Sequence, residues 1–249
     1  MSSKPFAGRV ALVTGASRGI GAGTAEALAR GGAHVILTAR TTGGLEEVEQ
    51  RIHDAGGSAT IAPLDMGDGE SIGRLAAAVS GRWDALDILV LNAAMLGSLT
   101  PVPAIDAKEF AKLLTLNVSA QQAMIAAFDP MLRKSGHASL IALTSSVAAR
   151  PRAYWGAYAA SKAAMETLVL SYGEEVRNIS NIRCAIVDPG ATRTTMRARA
   201  YPGEDPSDLQ APEVAGEAIA TLVRTGFDHG FRMRVAPSKR DSAEAVEGV

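Results

Sequence analysis

The sequence predicts an α/β domain, a doubly wound parallel sheet of about seven strands with helices on both faces. Two observations carry this reading. Short, uncharged apolar runs alternate regularly with longer amphipathic stretches, the pattern of strand–helix–strand crossover units. The runs also lack the polar alternation of half-exposed strands, as strands covered on both faces must. No proline- or glycine-rich linker and no internal repeat interrupts the 249 residues, a length with room for one large core.

The elements follow in order. Val10–Thr14 reads as a buried strand, followed by a glycine-rich turn and a helix from Ile20 to Arg30. Val35–Thr38 is a second strand, and Gly44–Ala55 a second helix with Glu46, Glu47 and Glu49 facing water. Ala59–Leu64 and Glu70–Trp83 form the next strand and helix, and Ile88–Leu91 a fourth strand. A long helical stretch runs from Asp106 to Leu132, with Pro130 bending or ending its last turn. Ser139–Thr144 is a fifth strand, Tyr158–Arg177 a long helix and Ile182–Val187 a sixth strand. Pro212 opens a helix over Glu213–Arg224, and Phe231–Val235 supplies a final strand. The segment 193–211 shows no clear period and is expected to be a lid-like loop. One domain over 1–237 is therefore expected, with a flexible tail over 238–249.

Composition narrows the function. Lys and Arg number 25 against 26 Asp and Glu, a balance without the basic excess of nucleic-acid binders. Hydrophobic residues make up 47% of the chain, which excludes disorder for most of it. No apolar run approaches the ~18 residues that would span a bilayer. Met1–Gly8 lacks the apolar stretch of a secretory leader. The only cysteine, Cys184, forbids an internal disulfide. The expectation is a cytoplasmic protein acting on small molecules, with neither nucleic-acid nor membrane partners.

Between the first strand and helix stands Thr14-Gly15-Ala16-Ser17-Arg18-Gly19-Ile20-Gly21. A dinucleotide pyrophosphate needs glycines here, because it must approach the backbone closely at the positive end of a helix. Gly15 suits the tight turn, Gly19 the close approach and Gly21 the packing of helix on sheet. The spacing is Gly-x-x-x-Gly-x-Gly, not the common Gly-x-Gly-x-x-Gly of Rossmann-type domains. After the second strand comes Arg40, where an NAD site would want an acid, and no carboxylate appears before Glu46. Arg40 and Arg18 carry guanidinium groups matched to a 2′-phosphate, although both also suit a solvated surface. The cofactor expected is NADP(H) in preference to NAD(H).

Tyr158 and Lys162 stand at i and i+4, on one helical face. A phenol titrates near 10 and needs a neighbouring cation to serve as an acid or base near neutrality. Ser145 ends the fifth strand, at the edge where open α/β sheets bind ligands. Tyr-x-x-x-Lys alone is common and more often a surface contact, but the signals converge.

Together they resemble the short-chain dehydrogenase/reductase family over essentially the whole chain. The turn Thr14–Gly21 matches its cofactor motif, Leu91-Asn92-Ala93-Ala94 is similar to its strand-end motif, and Asn117 stands at its helical asparagine. Ser145, Tyr158 and Lys162 match its active-site residues, and Pro189-Gly190 through Thr194 matches its Pro-Gly-x-x-x-Thr. The resemblance implies an oxidoreductase that interconverts a carbonyl and a secondary alcohol. Tyr158 would be its acid/base, Lys162 would lower the tyrosine pKa and hold the nicotinamide ribose, and Ser145 would orient the carbonyl. Asn117 would position a water through its backbone carbonyl. For the cofactor it implies Gly15, Ser17, Arg18, Gly19, Ile20, Gly21 and Arg40 at the phosphates and adenosine. Asp65 and Met66 would face the adenine, and Asn92 and Ala93 the ribose. Ile186, Pro189, Gly190, Thr192 and Thr194 would border the nicotinamide.

Two departures stand out: Leu91 replaces an asparagine, and Ala94 replaces a glycine, which requires a negative φ there. The stretches Asp129–Arg133 and Ala153–Gly156 resemble a bacterial branch of the family that offers no firm substrate. Arg193, Arg197 and Arg199 suit either an anionic carrier, as in 3-oxoacyl-thioester reduction, or a solvated face. A non-catalytic dinucleotide sensor or scaffold is the alternative from another class. The alanine- and leucine-rich long helices suggest a homodimer or homotetramer. His34, His53, His137 and His229 show no metal-ligand spacing, so no metal is expected, and Cys184 reads as a core residue.

Overall fold

The computed structural model describes residues 4–235. The tail expected over 238–249 lies outside the described residues. Seven strands form one all-parallel sheet: β1 (Val10–Thr14), β2 (His34–Thr38), β3 (Ser58–Ile61), β4 (Ile88–Leu91), β5 (Ser139–Leu143), β6 (Arg183–Asp188) and β7 (Phe231–Arg234). Their order is β3-β2-β1-β4-β5-β6-β7. The winding reverses between β1 and β4, so the loops leaving these two strands part and open a crevice at their carboxyl ends.

The helices are α1 (Gly19–Arg30), α2 (Thr42–Asp54), α3 (Gly69–Ser80), α4 (Ala107–Leu114), α5 (Ala120–Lys134), α6 (Ser146–Ala149), α7 (Gly156–Val176), α8 (Thr195–Ala200) and α9 (Pro212–Thr225). Alternate residues of each strand feed two cores, one per sheet face. Ala11 and Val13 join α1, α2 and α9, while Val10 and Leu12 join α3, α5 and α7. Where α1 crosses α9, a Cβ on Gly216 would lie 2.4 Å from the Gly23 backbone, so glycine alone permits that approach. Among the described residues no helix is long and apolar enough to cross a membrane.

Three expectations needed correction. The helix from Asp106 is not continuous: Asp106 caps α4 by accepting from Glu109 N at 2.8 Å, and a π-helical turn at Thr115–Ser119 separates α4 from α5. Of the two outcomes expected of Pro130, bending or ending, the ending is not realised: Pro130 sits inside α5, which runs on to Lys134. The segment 193–211 is not irregular throughout, because it folds into α8 and a short 3-10 turn at Pro206–Asp208. Six residues are too few for a helical period to show in sequence.

Candidate active site

The glycine turn is built by mutual support. Asn92 Nδ2 donates to the carbonyls of Thr14 (2.7 Å) and Gly15 (3.2 Å). Thr14 Oγ1 accepts from the amides of Asn92 and Ala93, at 2.9 and 3.0 Å. These bonds clamp the ends of β1 and β4 together beneath the crevice. Gly15 and Gly19 both take left-handed backbone, φ 67° and 56°. A Cβ on Gly21 would lie 2.3 Å from the Gly15 carbonyl oxygen, whereas one on Gly19 would meet only Thr194, at 3.4 Å. Gly21 is thus required by packing, and Gly19 keeps the backbone bare on the crevice side. The side chain of Arg18 makes no cap on α1, which leaves first-turn N–H groups facing the turn for an anion.

A cleft of about 660 Å³ opens above the sheet. Its wall takes in Gly15, Ser17, Arg18, Gly19, Ile20 and Arg40 at one end. Met66, Asn92, Ala93, Pro189, Gly190, Thr192 and Thr194 complete that wall. The turn, the bare Gly19 backbone and the two guanidinium groups together fit a phosphorylated dinucleotide. Asp65 is exposed and lies outside this wall; its Oδ1 accepts from Gly67 N at 2.9 Å, and it borders a smaller hollow shared with Arg40 and Arg74. Ile186, on β6, is buried in the core and is not among the residues lining the cleft. Ala94 lines the cleft at negative φ, since Tyr154 is the one non-glycine with left-handed backbone among the described residues.

At the other end stand Ser145, Tyr158 and Lys162. Ser145 lies two residues past β5, at the N-terminal cap of α6, and Tyr158 stands in the first turn of α7, which carries Lys162 one turn further on. Lys162 Nζ donates to the Leu143 carbonyl at 2.7 Å and lies 5.9 Å from the centroid of the Tyr158 ring. Burial holds the ammonium down at about 8, against an upward pull from Glu166. The phenol does not behave as expected: burial, with Asp188 adding to it, raises the Tyr158 pKa above its ordinary value. The lysine charge, turned toward Leu143, does not outweigh that desolvation.

Asn117 does not line the cleft. It is fully buried in the π-helical turn, where its Oδ1 accepts from Met95 N (2.8 Å) and its Nδ2 donates to Met95 O (2.9 Å) and Ser161 Oγ (3.0 Å). It thereby ties the loop after β4 to α7. Widened helical turns of this kind recur at functional sites because they shift the carbonyl ladder locally.

A lid covers the tyrosine end. Thr194 Oγ1 caps α8 by accepting from Arg197 N (3.1 Å), and Thr192 Oγ1 donates to the Pro189 carbonyl (3.0 Å). The Tyr158 hydroxyl approaches Met196 Sδ at 3.9 Å, a weak acceptor. Arg197 is committed to Glu204 through two bonds of 2.6 Å, Arg199 is exposed away from the cleft wall, and Arg193 lines it. Tyr154, at φ 70°, turns the chain so that Trp155 faces Tyr158 with ring centroids 6.0 Å apart. Such a backbone costs a bulky residue about 1–3 kcal/mol, a strain typical of functional segments.

A family model described as short chain dehydrogenase matches residues 9–205. The chain belongs to the short-chain dehydrogenase family. An uncharacterized oxidoreductase, YciK, from Escherichia coli strain K12 is 37% identical over 207 residues, 82% of this chain and 81% of that protein. A short chain dehydrogenase structure from Pseudomonas syringae superposes with a TM-score of 0.90 at 37% identity, covering 94% of this chain and 97% of that one. Another, from Escherichia coli CFT073 in complex with NADPH, gives a TM-score of 0.89 at 34% identity, covering 95% and 100%.

In this short-chain dehydrogenase, sequence reasoning passed over Glu166. It is buried on α7 one turn beyond Lys162, accepting from the Thr144 hydroxyl and from Arg232 Nη1 at 2.7 Å. Its i+4 spacing from Lys162 was the available signal. Asp188 was passed over too; it lines the cleft while its Oδ1 accepts from Gly190 N at 3.0 Å. His34 bonds Ser58 and Thr60, and His229 packs its ring on Gly173. Among the described residues no group of His, Cys, Asp and Glu is arranged to hold a metal. Cys184 is buried in β6, where desolvation pushes its thiol up to about 12.

Proposed function

We propose that the protein is an NADP(H)-dependent oxidoreductase interconverting a carbonyl and a secondary alcohol, with Tyr158 as general acid/base. The observation that carries this reading is the shared cleft: the glycine turn with Arg18 and Arg40 forms one end, and Ser145, Tyr158 and Lys162 form the other. Bound NADPH would supply the hydride. Ser145 holds the carbonyl oxygen, and Tyr158 gives it the proton. Lys162, held at Leu143, presents a cation beside the phenol and toward the nicotinamide ribose. Asn117 fixes the height of the Met95 loop against α7 and, through its backbone carbonyl, holds a water behind Lys162. Arg40 and Arg18 grip the 2′-phosphate and so favour NADP(H) over NAD(H), a preference the NADPH complex of the Escherichia coli CFT073 relative supports. The buried single thiol suits a reducing, cytoplasmic setting, and a homodimer or homotetramer belongs to the same reading.

The test is NADPH consumption across a panel of ketones and aldehydes, by wild type and Tyr158→Phe. Turnover by wild type that falls about 100-fold or more in the variant, with NADPH affinity kept, supports the reading. Tight NADPH binding with no turnover of any carbonyl would mark a sensor and overturn it.

A further inference from the structure

The walls around Tyr158 specify what kind of carbonyl fits, an inference that rests on the oxidoreductase reading above. Beyond the two main cores lies a third apolar cluster in which Leu96, Val147, Tyr158 and Ala159 are buried and Trp155, Met196 and Ala200 pack against them. These residues come from separate segments: the loop after β4, α6, the turn into α7 and its first residues, and α8. Leu96, Trp155, Met196 and Ala200 also line the cleft beside the Tyr158 hydroxyl. The reacting oxygen would thus meet Ser145 and Tyr158, while the remainder of the substrate meets hydrocarbon, an indole and a thioether.

The lid is fastened so as to keep that surface apolar. Trp155 leans on Tyr201, with ring centroids 5.6 Å apart, and Tyr201 is in turn held by the Arg197 guanidinium 3.9 Å above its ring. Arg152 Nη1 adds a bond to the Tyr201 hydroxyl at 3.3 Å. Arg197 spends its charge on Glu204, whose side chain is only 8% exposed. An arginine fixed by a bidentate bond to a buried carboxylate and stacked on an aromatic ring is a strut for the lid. Recruiting it to a substrate anion would break a two-bond pair with a largely buried carboxylate, at a desolvation cost. Apolar surface continues to the outside, where Val102 (67% exposed) stands against Gly156 and Tyr154 (59% exposed) precedes Trp155.

The geometry points to an uncharged, bulky apolar carbonyl compound, aryl or branched alkyl, or the matching secondary alcohol, as the substrate class. An acyl chain on an anionic carrier is disfavoured to the extent that Arg197 is held by Glu204, which leaves Arg193 as the lid cation lining the cleft.

Steady-state kinetics on the full chain with NADPH test this by matched pairs: acetophenone against para-carboxyacetophenone, acetophenone against acetone, and a 3-oxoacyl thioester of coenzyme A. The expected result is kcat/KM for acetophenone about tenfold or more above each of the others. Trp155→Ala is expected to narrow the acetophenone-to-acetone ratio by about tenfold, and Glu204→Gln to raise KM for acetophenone as the lid loosens. The carboxylated ketone or the thioester being preferred overturns the proposal, as does an unchanged ratio in Trp155→Ala. The wild-type comparison stands even if a variant fails to fold. Failure of the oxidoreductase reading looks different: NADPH binds and no compound in the set turns over.

Discussion

Thr144, the residue before Ser145, donates its hydroxyl to the carboxylate of Glu166, which sits one helical turn beyond Lys162. The carboxylate therefore joins the end of β5 to α7 at the level of the proposed chemistry. It is also gripped from β7 by Arg232, at 2.7 Å. Glu166 pulls the Lys162 pKa upward against burial, which without it would stand lower still.

This gives a pH signature. The folded Lys162 titrates at about 8, below the ordinary lysine value of 10.5. Between those values the unfolded chain holds the extra proton, so stability rises as pH rises through that window. Above pH ~10 the raised Tyr158 and Tyr172 act in the opposite sense, because the unfolded chain then loses protons first. Thermal melts should show Tm climbing by a few degrees from pH ~8 toward ~10. In Glu166→Gln the climb should begin below pH 8, and in Lys162→Met it should vanish. A flat profile in wild type would contradict the buried ammonium.

Arg40→Asp should reverse cofactor choice. Removing the guanidinium and adding a carboxylate beside the ribose should raise Kd for NADPH about tenfold or more, roughly 1.4 kcal/mol per decade. NADH affinity should hold or improve, because the new acid can accept from a 2′-hydroxyl. Titration of tryptophan fluorescence with each nucleotide measures both, and equal losses for the two would refute the assignment.

Gly21→Ala tests whether that glycine is required by packing. Its methyl would meet the Gly15 carbonyl oxygen at 2.3 Å, a backbone atom that cannot swing away. A loss of about 1–3 kcal/mol in chemical denaturation is expected, as for overpacked cores generally. Gly43→Ala, where a Cβ meets nothing within 4 Å, serves as the control and should be neutral or slightly stabilising.

The long α7 exposes Leu168 among its alanines, and pairing of such helices between subunits is the expected route to an oligomer. Light scattering should report two or four times the 25.8 kDa chain mass. A monomer at assay concentration would remove the homo-oligomer from the proposal.

What the sequence disclosed follows from where the signals are local. Strands such as Val10–Thr14 and Ile88–Leu91 carry uninterrupted apolar runs, and both form where expected, to the residue. Gly15, Gly19, Ser145, Tyr158 and Lys162 stand at spacings that a strand end or one helix face fixes, so the chain itself brings them into one cleft. Features that depend on partners far along the chain stayed hidden. The pairing of Arg197 with Glu204, and of Glu166 with Arg232, cannot be read from spacing, and neither can the burial that raises the Tyr158 pKa. Asn117 was found by its motif position, but its anchoring of Met95 and Ser161 required the fold.

The wide turn at Thr115–Ser119 makes the length of its helix a tuned quantity. Each residue of an α-helix advances the azimuth by about 100°. Deleting one residue there would let the segment relax to ordinary winding, yet it would swing either Asp106 and the rest of α4, or Asn117 itself, a quarter-turn or more out of alignment. Insertions and deletions, harmless in most surface helices, should therefore be among the most damaging lesions this protein can suffer.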